Sequence, residues 1–161
     1  SWAGFTEKDV EEMKRLRHAV PETVNSIIAR RQACVPELHK VGTDMAVPDE
    51  SLGAMMDFYR RRLEECGLEF VMFGHVGDGH VHVNVLPRAA AELERAEELY
   101  MEFAAEAVRL GGSVAGEHGI GRIKKVFLPI QFGEADLAAM RAIKQALDPD
   151  TTLNPGVLFD L

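Results

Sequence analysis

Three histidines crowd one short stretch of the chain, Gly74-His75-Val76-Gly77-Asp78-Gly79-His80-Val81-His82-Val83-Asn84. Asp78-Gly79 is a hairpin signal, and a two-residue turn there would set His75 directly opposite His82. Directly paired side chains on one sheet face have Cβ atoms about 4.5–5.5 Å apart, close enough to share a metal ion. Alternation along the second strand puts His80, His82 and Asn84 on one side and Val81, Val83 and Val85 on the other, one face polar and one face core. A single histidine so placed is more often a solvated surface residue, whereas three converging on one turn point to a functional site.

A second stretch, Gly111-Gly112-Ser113-Val114-Ala115-Gly116-Glu117-His118-Gly119-Ile120-Gly121, surrounds an adjacent carboxylate and imidazole with five glycines. Such a loop can turn tightly and let a ligand or cofactor approach the backbone. By itself a Glu-His pair between glycines reads equally well as a helix cap. Beside the histidine hairpin it completes a set of two imidazoles and one carboxylate, which leaves coordination positions open, as catalytic metal sites do. Glu117 and His118 are neighbours, so their side chains are expected to diverge, one toward a metal and the other toward a substrate. Arg17, Arg30, Arg31 and Arg122 are candidates for gripping a substrate carboxylate through two parallel donors, although most arginines are surface charges.

The elements that must hold these residues can be read from periodicity. From Thr6, a helix N-cap, Val10, Met13, Leu16, Val20, Val24, Ile27 and Ile28 recur at helical spacing, with Pro21 expected to kink or split the helix. Residues 44–47 read as a short strand, and Pro48-Asp49 opens a second helix lined by Leu52, Met55, Met56, Tyr59 and Leu63. Residues 68–74 and 81–86 read as strands; a third helix runs from about Ala89 to the stop at Gly111-Gly112, and 113–115 forms a last short strand. The order β-α-β-β-α-β predicts an α+β, ferredoxin-like domain: an antiparallel sheet with both helices on one face and the other face free for a ligand or another domain. Helices over 119–127 and 133–147 are expected to follow.

With 161 residues, 47% of them hydrophobic, the chain can bury one sizeable core, so a single domain over 1–161 is expected. A formal net charge of -8 without any basic block argues against a nucleic-acid partner. Cys34 and Cys66 have neither zinc-ribbon spacing nor the density of a disulfide scaffold, which suggests a reduced, cytoplasmic setting. No apolar run reaches the roughly 18 residues of a membrane span, and residues 1–6 do not read as a signal peptide; peripheral membrane attachment through a partner stays open. The chain begins at Ser1 with its first motif almost at once, as an excised fragment would.

In these motifs the chain resembles the C-terminal domain of the FAD-linked oxidase family, which includes D-lactate dehydrogenases, the glycolate oxidase flavin subunit and D-2-hydroxyglutarate dehydrogenases. The likeness extends to Leu16-Arg17-His18, Thr43-Asp44-Met45-Ala46-Val47-Pro48, Leu147-Asp148-Pro149 and Leu153-Asn154-Pro155-Gly156. The resemblance implies metal ligands at His75, His82 and Glu117, a catalytic base at His118, and substrate contacts at Asn84, His80 and Arg17, with Arg30 as the alternative arginine. It implies cofactor contacts at Gly116, Gly119 and Asn154. It also implies FAD held mainly by an N-terminal domain absent from this chain, a divalent metal (zinc, or else manganese, iron or cobalt) and a separate electron acceptor.

Three departures from the pattern stand out, one of them a segment between Arg17 and Asp44 longer than in many relatives, which leaves both Arg17 and Arg30 open for the substrate carboxylate. His80 occupies a position where the family often has Asn, which bears on metal affinity or substrate fit. Gly42 stands where D-2-hydroxyglutarate dehydrogenases carry a lysine, which favours a small monocarboxylate such as D-lactate or glycolate. The implied reaction oxidises a 2-hydroxy acid to the 2-oxo acid, with His118 taking a proton and flavin taking a hydride. A metal-dependent hydrolase and a non-catalytic metal-binding domain are the readings from other classes.

Overall fold

The computed structural model describes residues 6–160; 1–5 and 161, which the single-domain expectation includes, lie outside the described residues. The first described residue is already structural. Thr6 Oγ1 accepts from the Asp9 backbone N–H at 3.2 Å while the Asp9 carboxylate accepts from the Thr6 N–H at 3.0 Å, a reciprocal cap that starts helix α1, Glu7–Gln32. Pro21 lies inside α1, but the helix is not split there. The N-terminal cap and the packing of Val24 and Ile28 fix the segments on both sides, and the Thr23 hydroxyl donates to the Ala19 carbonyl at 2.7 Å across the same turn.

A three-stranded antiparallel sheet follows, β1 (Val41–Gly42), β2 (Phe70–His75) and β3 (His80–Val85), in the order β1-β3-β2. Helices α2 (Leu52–Glu65) and α3 (Ala90–Arg109) bury Met55, Tyr59, Leu63, Ala96, Leu99, Phe103, Ala104 and Ala107 against Val83 and Val85. Three alanines on α3 let the helix lie close, and Tyr59 meets Phe103 edge-on at 4.8 Å between ring centroids.

The opposite face is covered in part by α1. Val71, Phe73 and Leu86, which alternate with the core-facing positions, pack against Val24, Ile27 and Ile28 of α1. Arg31 fastens the end of that helix by donating to the Leu86 carbonyl and pairing with Glu69 Oε2 at 2.7 Å.

Several expected elements are shorter than their sequence suggests. Regular pairing of the first strand covers Val41 and Gly42 rather than 44–47, because from Thr43 onward the chain serves the site described below; Ala46 keeps isolated bridges to His80 and Ser113. The expected strand over 113–115 is reduced to that Ser113 bridge. Left-handed φ values at Gly119 (65°) and Gly121 (58°) keep the chain out of a helix over 119–127; one 3-10 turn, Lys124–Phe127, leads into α4, Leu128–Gln131. Helix α5, Glu134–Leu147, follows as expected and buries Leu137 with Leu128 and Phe159. No helix among the described residues is long and apolar enough to cross a membrane.

The hairpin register also differs. The loop spans Val76 to Gly79, with a 3-10 turn over Val76–Asp78, so His75 pairs with His80 and Phe73 with His82. Of the two turn residues only Gly79 adopts a left-handed φ, 59°, whereas the two-residue turn favoured by Asp-Gly needs both. Gly79 is also wedged under the preceding loop: a Cβ there would lie 2.0 Å from the Val47 carbonyl oxygen.

Candidate metal and catalytic site

The register decides which imidazoles meet. His80 and His82, two apart on β3, share a face with ring centroids 4.4 Å apart; His75 lies opposite His80 at 6.0 Å and diagonal to His82 at 6.4 Å. His82 is oriented by the strand beside it, its Nδ1 lying 2.9 Å from the Thr43 carbonyl oxygen. Thr43 is itself locked to Val83 through both its backbone N–H and its hydroxyl, each at 2.9 Å.

The glycine-rich loop is drawn over these rings by Asp44. This carboxylate, 1% exposed, accepts from the backbone N–H groups of Glu117 at 3.3 Å and His118 at 3.2 Å, and the Lys124 ammonium pairs with it. Burial is the largest single influence on the Asp44 carboxyl and would raise its pKa, but Lys124 and the two N–H groups together hold it below the ordinary value. Asp44 is an anionic anchor that the sequence reading missed; its one signal was a place within the Thr43 to Pro48 motif.

Two consecutive N–H groups aimed at one carboxylate require a curled backbone. The expected divergence of Glu117 and His118 therefore does not occur. Glu117 Oε1 lies 3.0 Å from His82 Nε2 and 3.4 Å from His118 Nε2, and Oε2 lies 3.6 Å from His75 Nε2. Burial works against its charge, yet His82 and the surrounding imidazoles keep the Glu117 carboxyl below its usual range. The His118 ring stacks on His82 at 5.4 Å and 11°, with Nδ1 3.5 Å from Asp44 Oδ1, and remains 61% exposed.

The donor set suits a divalent cation. His82 Nδ1 faces a carbonyl, which only accepts, so neutral His82 turns the lone pair of Nε2 toward a carboxylate oxygen. A cation between them removes that conflict. Among the described residues, Asp44, His80, His82 and Glu117 each offer a ligand atom within 4.8 Å of all the others. His75 falls outside this tight group but touches Glu117.

Beside the cluster opens a cleft of about 1110 Å³, lined by His82, Asn84 and His118 and edged by Lys40, Arg122 and Lys124. Gly119 also lines it. His75, His80, Gly116 and Glu117 border a second concavity of about 310 Å³ on the hairpin side. His80 is buried against Asp44 and Gly116 instead of reaching into the larger cleft. Arg17 and Arg30 are exposed on α1, and neither lines the cleft; Arg31 is engaged at the end of the sheet. Asn154 sits in an exposed C-terminal turn with φ 48°, which Arg122 joins to the cleft edge by donating to the Pro155 carbonyl at 3.0 Å.

A compact antiparallel sheet, a histidine hairpin and a carboxylate-histidine loop over a cleft mark one class of domain, and the family model for FAD linked oxidases, C-terminal domain, matches residues 4–158. The chain belongs to this family. It is 34% identical over 118 residues to the glycolate oxidase subunit GlcD of Bacillus subtilis (strain 168), covering 72% of this chain and 25% of the relative. Similarity to a D-lactate dehydrogenase of Archaeoglobus fulgidus is 34% over 163 residues, covering 96% and 32%, and to a D-2-hydroxyglutarate dehydrogenase of Xanthomonas citri pv. viticola 43% over 96 residues, covering 57% and 20%. The chain thus spans between 20% and 32% of the length of these relatives.

Proposed function

We propose that this chain is the substrate-facing, metal-holding part of a FAD-dependent dehydrogenase that oxidises a small 2-hydroxy acid to the 2-oxo acid. The observation that carries the reading is His118: an exposed imidazole, stacked on His82, placed where the ligand cluster meets the cleft. An N-terminal domain of the longer protein would hold FAD, which would supply the hydride acceptor, with a separate electron acceptor as its oxidant. His75, His82 and Glu117 would hold a divalent metal, zinc or else manganese, iron or cobalt, which would acidify the substrate hydroxyl.

The chain's own residues position and deprotonate. His118, its ring set between Asp44 near Nδ1 and Glu117 near Nε2, accepts the hydroxyl proton. Asn84, lining the cleft, contacts the substrate. Arg17 lies four residues before Pro21, a cleft-lining residue, and so shares its side of α1; it holds the carboxylate. Gly116, Gly119 and Asn154 give the flavin close backbone approach.

Gly42 supports a small monocarboxylate of the D-lactate or glycolate class. A Cβ there would already lie 3.1 Å from Asn84 Oδ1, so this position offers no cation to a second carboxylate. The relatives are named for acting on glycolate, D-lactate and D-2-hydroxyglutarate, and metal-dependent hydrolysis is not favoured. The order β1-β3-β2, with the Ala46 to Ser113 bridge beyond it, supports reading the sheet as a ferredoxin-like frame whose fourth strand is vestigial.

The test is anaerobic bleaching of the flavin in the full-length protein. D-lactate or glycolate should bleach it faster than D-2-hydroxyglutarate, and absence of bleaching by any 2-hydroxy acid would refute the reading.

A further inference from the structure

The tightest set of ligand atoms is not the set the family pattern implies. Among the described residues, the buried side-chain nitrogens and oxygens without a hydrogen-bond partner are Tyr59 Oη and His80 Nε2. His80 is 5% exposed. Asp44 Oδ1 faces its Nε2 at 3.2 Å, outside hydrogen-bonding geometry, so a buried ring nitrogen and a buried carboxylate oxygen confront each other without a shared proton. Leaving the buried ring nitrogen unsatisfied is costly, and a cation between it and Asp44 Oδ1, which also accepts from the Glu117 N–H, would satisfy it.

The loop is built to seat this ring. A Cβ on Gly116 would lie 2.8 Å from His80 Nε2, so only glycine lets the backbone ahead of Glu117 close over the imidazole. On the other side His82 follows at 4.4 Å between centroids, and its Nε2 is 3.0 Å from Glu117 Oε1. The two pairs, His80 with Asp44 and His82 with Glu117, offer atoms that all lie within 4.8 Å of one another.

We propose that His80 Nε2 is a direct ligand of the divalent metal, with Asp44 Oδ1 as the adjacent oxygen donor beside His82 and Glu117. This rests on the reading that the site holds a metal, and extends the ligand set to a residue and a carboxylate outside the family pattern. With His75, His82 and Glu117 this makes three imidazoles and two carboxylates, a borderline nitrogen and oxygen set suited to manganese, iron, cobalt or zinc, and an octahedral ion so held keeps one position for substrate. Lys124 balances the second carboxylate.

The experiment uses the full-length protein, stripped with a chelator and reloaded. Anomalous diffraction from zinc-loaded wild-type crystals should place zinc about 2.1 Å from His80 Nε2. Cobalt titrations, followed by the visible absorption of the bound ion, should show affinity falling more than about 100-fold in both His80→Asn and His80→Gln, beyond the roughly 10–100-fold of outer-shell changes. Zinc held by His75, His82 and Glu117, with His80 outside bonding distance, would overturn the inference and leave the proposed function standing. Wild-type protein that takes up no metal would overturn both. If the variants fail to fold, the diffraction result decides.

Discussion

Asp44 and Lys124, 80 residues apart in sequence, form a part-buried ion pair that closes the glycine-rich loop over the histidine hairpin. Removing one partner leaves the other charge buried without compensation. In the full-length protein Lys124→Met should lower the unfolding free energy by about 3 kcal/mol, and Asp44→Asn with Lys124→Met should lose less than the sum of the single changes. Urea unfolding of the three variants measures both; additive losses would show that the pair does not act as a unit.

Gly116 and Gly53 should respond to alanine in opposite directions. The new Cβ at 116 would overlap His80 Nε2, so Gly116→Ala should destabilise by about 1–3 kcal/mol and reduce bound metal. At Gly53, exposed on α2, nothing lies within 4 Å of the built Cβ, and alanine should stabilise by about 0.4–1 kcal/mol. Thermal unfolding with metal analysis separates the two. Equal shifts would mean that the approach to His80 does not govern position 116.

Much of this site was legible because local patterns carried it. The alternation His80, His82, Asn84 fixed a polar side of β3, and the glycines around Glu117 marked a loop. The register was not legible: Asp78-Gly79 suggested a two-residue turn, but the docking of Gly79 beneath Val47 is a tertiary contact, and it set His75 against His80. Asp44 was hidden for the same reason, since the loop N–H groups it holds lie more than 70 residues away. The direction of the Glu117 and His118 side chains depended in turn on Asp44. Strands 44–47 and 113–115 failed because residues spent on the site cannot also extend a ladder.

Acid should loosen the C-terminal segment. Asp148 accepts from the backbone N–H groups of Thr152 and Leu153, each at 3.0 Å, and from the Thr152 hydroxyl, while Lys144 pairs with it. Lys144 first, and then these N–H groups, hold its carboxyl far below the ordinary carboxylate value against the opposing effect of burial. A carboxyl depressed in the folded state contributes stability that is complete above its unfolded pKa, near 3.9, and is lost as pH falls below that value toward the folded one. Asp148→Asn should therefore lower the urea midpoint at pH 7 and differ progressively less from wild type below about pH 4. A constant difference across that range would remove Asp148 as the cause.

The central claim is that His118 takes the substrate proton without holding the metal. Flavin reduction by D-lactate or glycolate, measured together with metal content on one preparation of full-length His118→Ala, tests it directly. Reduction should slow by about 10²–10⁴-fold while metal content stays at the wild-type level. Loss of the metal would make His118 a ligand, and an unchanged rate of flavin reduction would contradict the account.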